Sequence, residues 1–250
     1  MFGVELIEGK RAEMTFSIIA RDEKTGRVGI AVASKFLAVG ARNAFIKTGV
    51  GAVASQALFN PHYGPRGLAL LAAGASADDA VRLLTAADEG REVRQLHIMD
   101  RKGKFAAFTG SATPQWSGHL LRKSFSVAGN ALAGQPVIEA VATAYQDQAA
   151  LPFARRLLAA MNAGEQAGGD KRGRQSAALL VHDEEEYSLL DLRVDDHTDP
   201  LAELARLEGV ARQSWIHFRR VLANRKEPHG VLDLGAADTR IADSIKDGYE

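Results

Sequence analysis

A threonine that follows a methionine at the head of a strand-like run is the residue of this chain best placed by type to do chemistry: Met14-Thr15 opens TFSIIAR. If Met14 is the true start, removal of that methionine leaves one residue carrying both a hydroxyl and an α-amine. An unperturbed α-amine titrates at about 7.7–8.0, so it can take the hydroxyl proton at neutral pH without a histidine. The chain has no cysteine, which removes thiolate nucleophiles, thiolate metal sites and disulfides together and fits a reducing compartment. A nucleophile here is an oxygen or an amine. In the Gly-rich stretch AGEQAGGDKRGRQ, Arg172 and Arg174 present guanidinium groups able to grip a substrate carboxylate, next to Gln175. Asp195, Asp196 and His197 put two carboxylates and an imidazole in succession. Successive strand residues point to opposite faces, so the three do not converge on one ion. The segment reads instead as a loop packed through an Asp191–Arg193 pair, and no metal or other cofactor is expected.

Strands and helices must hold these groups. Thr15–Arg21 and Val28–Ser34 are β-branched and apolar around the turn DEKTG, which predicts a hairpin. Both are apolar at most positions, which predicts burial on two faces, between a second sheet and helices. Residues 50–56 (VGAVASQ) read as a third strand. Asn60, Pro61, Gly64 and Pro65 then interrupt the pattern before leucines at helical spacing. Ser76 with Asp79 resembles a capping box opening a helix through Ala87. Residues 95–99 and 104–108 predict a second hairpin about DRKG, 125–127 a short strand, and 136–148 and 151–161 two helices. Ser176–His182 and residues 187–194 follow as strands joined by DEEE. Leu201, Leu204, Leu207, Ala211, Trp215, Phe218 and Val221 describe one long amphipathic helix over 200–224, and residues 225–250 a loosely attached tail. Strands in antiparallel runs interrupted by helix pairs predict a layered α+β sandwich rather than a βαβ winding.

Lys plus Arg and Asp plus Glu each number 31. That balance leaves no net field to attract a phosphate backbone or an anionic membrane surface, so nucleic acid and membrane are not expected partners. No stretch approaches the roughly 20 apolar residues of a membrane helix, and MFGVELIEGKRAE lacks a signal-peptide core. A cytoplasmic location is the expectation.

The blocks MTFSIIARD, GIAVASKFLAVG, NPHYGPRGLALL, EVRQ, AAFTG, GNALAG, AGGDKRGRQSAALLV and DLRVDDHTDP, in this order, resemble the bacterial Ntn-hydrolase-like family known as domain of unknown function 1028. The resemblance runs from about Met14 to Leu207 and implies a four-layer αββα sandwich of Ntn-hydrolase type. A looser similarity to proteasome β-type subunits implies roles. Thr15 becomes the nucleophile, and Ser34 takes the position that orients a lysine. Lys35 or Lys47 is that lysine, tuning the threonine amine. The region after the third strand, with Ser55, Gln56 and Asn60, supplies oxyanion donors, Gln56 is also expected to bind substrate, and His62 and Tyr63 line the same loop toward substrate. Asn130 stands where related enzymes keep a serine, and an asparagine there can donate to an oxyanion. Asp170 holds the amine and Ser176 orients it.

These readings divide the chain into a leader (1–13: a propeptide, a start set too early, or added residues), an Ntn-hydrolase-like domain (14–207) and a helical extension with tail (208–250). The expected activity is hydrolysis of a small amide or peptide-like bond, a C–N bond other than an ordinary peptide bond, through a threonine acyl-enzyme. The competing expectation is a catalytically silent assembly or binding module of the same fold. The stripe bearing Trp215 suits a dimer interface or a carbohydrate-associated surface, and a homo-oligomer, dimer or higher, is expected.

Overall fold

The computed structural model describes residues 15–113, 115–169 and 173–248. Its strands form two antiparallel sheets. The six-stranded sheet has the order β10 (Leu190–Val194), β9 (Ser176–His182), β2 (Val28–Ser34), β1 (Thr15–Arg21), β8 (Phe125–Leu132), β7 (Trp116–Leu121). The four-stranded sheet has the order β3 (Ala44–Lys47), β4 (Gly51–Ala57), β5 (Arg94–Asp100), β6 (Phe105–Thr109). Helices α4 (Gln135–Asp147), α5 (Phe153–Gln166) and α6 (Pro200–Gln213) cover the outer face of the larger sheet. Helices α2 (Tyr63–Ala72) and α3 (Ala77–Ala86) cover the smaller one, and the short α1 (Val39–Asn43) sits against β9 and β2.

Alternation along the central strands explains this layering. In β1, Phe16, Ile18 and Ala20 enter the apolar core shared with α4 and α5, while Ile19 packs between the sheets on Ile30, Ala52, Ala54 and Met99. In β5, Leu96 and Ile98 face α2 and α3, which leaves Gln95, His97 and Met99 facing the larger sheet. The two-faced burial expected of β1 and β2 is observed. Small side chains in β4 (GAVASQA) let the sheets approach, and all seven residues are buried.

Several elements depart from the sequence reading. β3 and β7 went unread, and β8 continues past the expected 125–127 through Gly129-Asn130 to Leu132. The strand expected over 187–194 begins only at Leu190. Ser76 does cap α3, its Oγ accepting from Asp79 N at 3.1 Å, but the Asp79 carboxylate accepts from that same hydroxyl instead of closing the reciprocal box. The long C-terminal helix breaks at Ser214 (φ −134°, ψ −69°) and resumes as α7 (Trp215–Phe218) and a 3₁₀ turn, Arg219–Val221. Apolar spacing survives such a break, which is why periodicity alone did not reveal it. The tail holds a further helix, α8 (Leu234–Asp247), capped by Asp233 and tied to α7 through His217 Nδ1 and Ser244 Oγ at 2.8 Å. No described helix is long and apolar enough to cross a membrane.

Candidate functional site

Register brings four of the expected site residues into one row. Ser176 pairs with Ser34, Ser34 with Thr15, and Thr15 with Asn130, across β9, β2, β1 and β8. All four belong to the face that meets the smaller sheet, and all are buried. Thr15 is only 4% exposed, and its Oγ1 lies 3.0 Å from Ser34 Oγ. Among the described residues Ser34 is the hydrogen-bond partner of that hydroxyl, and a serine hydroxyl is no base at neutral pH. Ser176 is separated from Thr15 by β2. Its Oγ accepts from Val39 N at 3.1 Å and donates to Phe36 O at 2.5 Å, pinning the chain that leaves Ser34.

Behind Thr15 lies a buried polar layer that the sequence reading missed apart from Gln56 and Asn130. Asn130 Nδ2 donates to Gln95 Oε1 (3.1 Å) and, more weakly, to Thr15 O (3.4 Å). Gln95 Oε1 also accepts from Gln56 Nε2 (2.7 Å), and Gln95 Nε2 donates to Thr109 Oγ1, Gly118 O and Gly129 O. Ser17 Oγ donates to Gln56 Oε1 (2.7 Å), so toward His97 Nε2, 2.9 Å away, it must accept. That fixes the Nε2–H tautomer and leaves Nδ1 to accept from Ser126 Oγ at 2.7 Å. Burial, with His119 as a lesser cause, pushes His97 down to about 3, so the ring is neutral at physiological pH. Gln56, expected to bind substrate, is thus fully buried inside this network.

Backbone strain marks the same end of the sandwich. Among the described residues the non-glycine positions at positive φ are Ala38, Ala57, Gln115 and Ala131. Ala38 follows Ser34, Ala57 ends β4 next to Gln56, Gln115 precedes Trp116, whose partner is Leu132, and Ala131 adjoins Asn130. Each such residue costs about 1–3 kcal/mol, and such strain gathers at functional sites. At Ala131 its effect is visible: Asn130 turns to the smaller sheet while Leu132, of the same parity, joins the helix-side core.

The remaining expected residues lie elsewhere. Asn60 and Tyr63 both donate to Asp88 Oδ2, at 3.0 and 2.9 Å, and Arg94 Nε donates to the same oxygen at 3.2 Å. Burial opposes ionisation of Asp88, but the bonds from Asn60, Tyr63, Gly90 N and Arg94 prevail and hold it at about 2. His62 is exposed at the start of α2. Lys35, exposed beside Ser34, donates from Nζ to Arg174 O at 3.0 Å. Lys47 pairs with Gly51 and lines a cleft of about 120 Å³ with Arg21, at the opposite end of β1 from Thr15. The Arg174 guanidinium is engaged by Glu165 (2.6 Å) and Asp199 (3.1 Å), and Gln175 Nε2 by Asp196 (3.2 Å). Asp170 and Arg172 lie outside the described residues. Arg193 meets Asp195 at 3.9 Å, not the Asp191 expected from sequence, and His197 Nδ1 accepts from Asp199 N.

Two antiparallel sheets stacked between helices define a mixed α+β protein, with a threonine-headed polar row at one end of the seam. The chain belongs to the family described as "Family of unknown function (DUF1028)", whose model matches residues 15–204 and so begins at Thr15. It is similar to protein SPO2555 from Silicibacter pomeroyi, a crystal structure assigned to the same family: 35% identity, TM-score 0.82, covering 88% of this chain and 96% of that one. Anbu (ancestral beta-subunit) from Yersinia bercovieri aligns at 12% identity over 78% of this chain and 94% of that one, with a TM-score of 0.37, too low to bear on the fold. No curated protein sequence matches the chain.

Proposed function

We propose that this chain is an amidohydrolase of the N-terminal-nucleophile type, with an αββα sandwich, in which Thr15 becomes the first residue and cleaves a small amide or peptide-like bond. The observation that carries the reading is the place of Thr15: head of a central strand, hydroxyl 3.0 Å from Ser34, beside Asn130, at the end of the seam where the backbone strain gathers. Thr15 Oγ1 adds to the amide carbonyl carbon while its proton passes to the α-amine. The amine returns a proton to the leaving nitrogen as the C–N bond breaks, giving a threonine ester. Water then adds to that ester with the amine again as base, and collapse frees the acid and restores Oγ1–H. Because Ser34 cannot act as base, the α-amine is required. Asn130 is the side-chain amide in the row, and its Nδ2, which directs a hydrogen weakly at Thr15 O, is the donor assigned to the oxyanion. Asn60, held by Asp88, is not needed for that role in this scheme.

The test compares the full chain with protein beginning at Thr15 on a panel of simple amides. The expected result is turnover only with Thr15 N-terminal, kept in Thr15→Ser, lost in Thr15→Ala, and lowered about 10²–10⁴-fold when the α-amine is acetylated. Equal turnover by the acetylated and free forms would remove the mechanism, and no turnover by any form favours a silent binding module.

A further inference from the structure

The loops at the Thr15 end of the seam carry apolar side chains. Phe36 lies two residues beyond Ser34, and its carbonyl is held by Ser176 Oγ. Phe59 lies three residues beyond Gln56, in a loop turned by the positive φ of Ala57 and closed by Phe59 N donating to Ala57 O at 2.7 Å. The two rings meet edge to face with centroids 6.1 Å apart. They join the loop leaving the larger sheet to the loop leaving the smaller one, at the end of the seam where Thr15 stands. Beside each phenylalanine is a leucine left in water: Leu37 is 50% exposed and Leu58 59%. Neither belongs to an apolar core cluster. Arg42, 5.8 Å above the Phe36 ring, braces the outer side.

On the strength of the nucleophile reading, we propose that this apolar wall binds the acyl side of the substrate, so that the enzyme prefers amides of longer alkyl or aryl carboxylic acids over amides of acetate. An acyl group attacked at its carbonyl by Thr15 Oγ1 extends out of the seam along the Phe36–Phe59 wall and covers Leu37 and Leu58.

The experiment uses the full chain with a protease site immediately before Thr15, cleaved after folding. The probes are the p-nitroanilides of acetic, butyric, hexanoic and phenylacetic acids, with the matching p-nitrophenyl esters followed by intact mass for the Thr15 adduct. The expected result is a rise in kcat/KM of about two- to fourfold per added methylene up to hexanoyl, with that gradient flattened in Leu37→Ala and Leu58→Ala. Both positions are exposed enough to tolerate alanine without loss of fold. Acylation of Thr15 with no dependence on chain length would overturn the apolar acyl site and leave the nucleophile standing. Absence of a Thr15 adduct from every ester would overturn the nucleophile reading and this inference together.

Discussion

His97 should make this protein acid-sensitive well above the carboxylate range. Its ordinary value of 6.5 is lowered to about 3 in the fold by burial, with His119 adding to it. The unfolded chain therefore binds a proton that the folded chain refuses between those two values. The stability contributed by the neutral ring is complete above about pH 6.5 and is lost as pH falls toward 3, with a slope of about 1.4 kcal/mol per pH unit. Between pH 7 and 5 this amounts to about 2 kcal/mol from His97 alone, a sizeable share of the roughly 5–15 kcal/mol typical of a domain. His97→Gln keeps a polar group near Ser17 but loses the bond to Ser126, which costs about 1–3 kcal/mol at pH 7. Urea unfolding of both proteins at pH 7, 6 and 5 separates the two effects. The deficit of the variant should shrink by about 2 kcal/mol from pH 7 to 5. Parallel curves with a constant deficit would refute the claim that His97 is held neutral in a closed layer.

Asp88 gives a second pH signature with the same sign and a lower window. Held at about 2 against an ordinary 3.8, it contributes stability that is complete above 3.8 and lost as pH falls through 2. Asp88→Asn should cost about 2–3 kcal/mol at pH 7, since Asn60, Tyr63 and Arg94 all donate to the lost carboxylate oxygen, and the deficit should narrow below pH 3.8 in urea titrations. Gly51→Ala should destabilise by about 2–3 kcal/mol, because its Cβ would fall 2.2 Å from Met99 O and 2.8 Å from Leu71 Cδ1. Gly49→Ala, with φ +74° but open space around the Cβ, should cost only about 1 kcal/mol by thermal unfolding, and equal losses at the two positions would contradict the close approach at Gly51.

Much of the frame was legible because local pattern and tertiary demand agree in it. The β1–β2 hairpin and β9 follow directly from apolar runs bounded by turn residues. Where a residue serves a contact distant in sequence, the signal reverses meaning. Gly129 and Asn130 lie beyond the short strand expected over 125–127, yet both belong to β8: a Cβ on Gly129 would meet Leu132 Cδ1 at 2.4 Å, and Asn130 faces Gln95. Alternating Gln95 and His97 have the polar spacing of a strand's solvent face, whereas they lie in a buried layer whose partners, Ser17, Gln56 and Ser126, come from three other strands. The candidate row of Thr15, Ser34, Asn130 and Ser176 was named residue by residue from the resemblance, and register brings the four side by side. Lys47 shows the limit of spacing, because the unread strand β3 carries it to the far end of β1.

The α-amine of Thr15 is the centre of the account, and its existence is directly measurable. The natural reading frame, expressed without added residues in a bacterial host, should yield a mature protein whose intact mass and N-terminal sequence begin at Thr15, and this species should carry all of the amide-hydrolysing activity. A mature protein that still carries residues before Thr15, and hydrolyses amides as fast as a chain cleaved at that position, would contradict it.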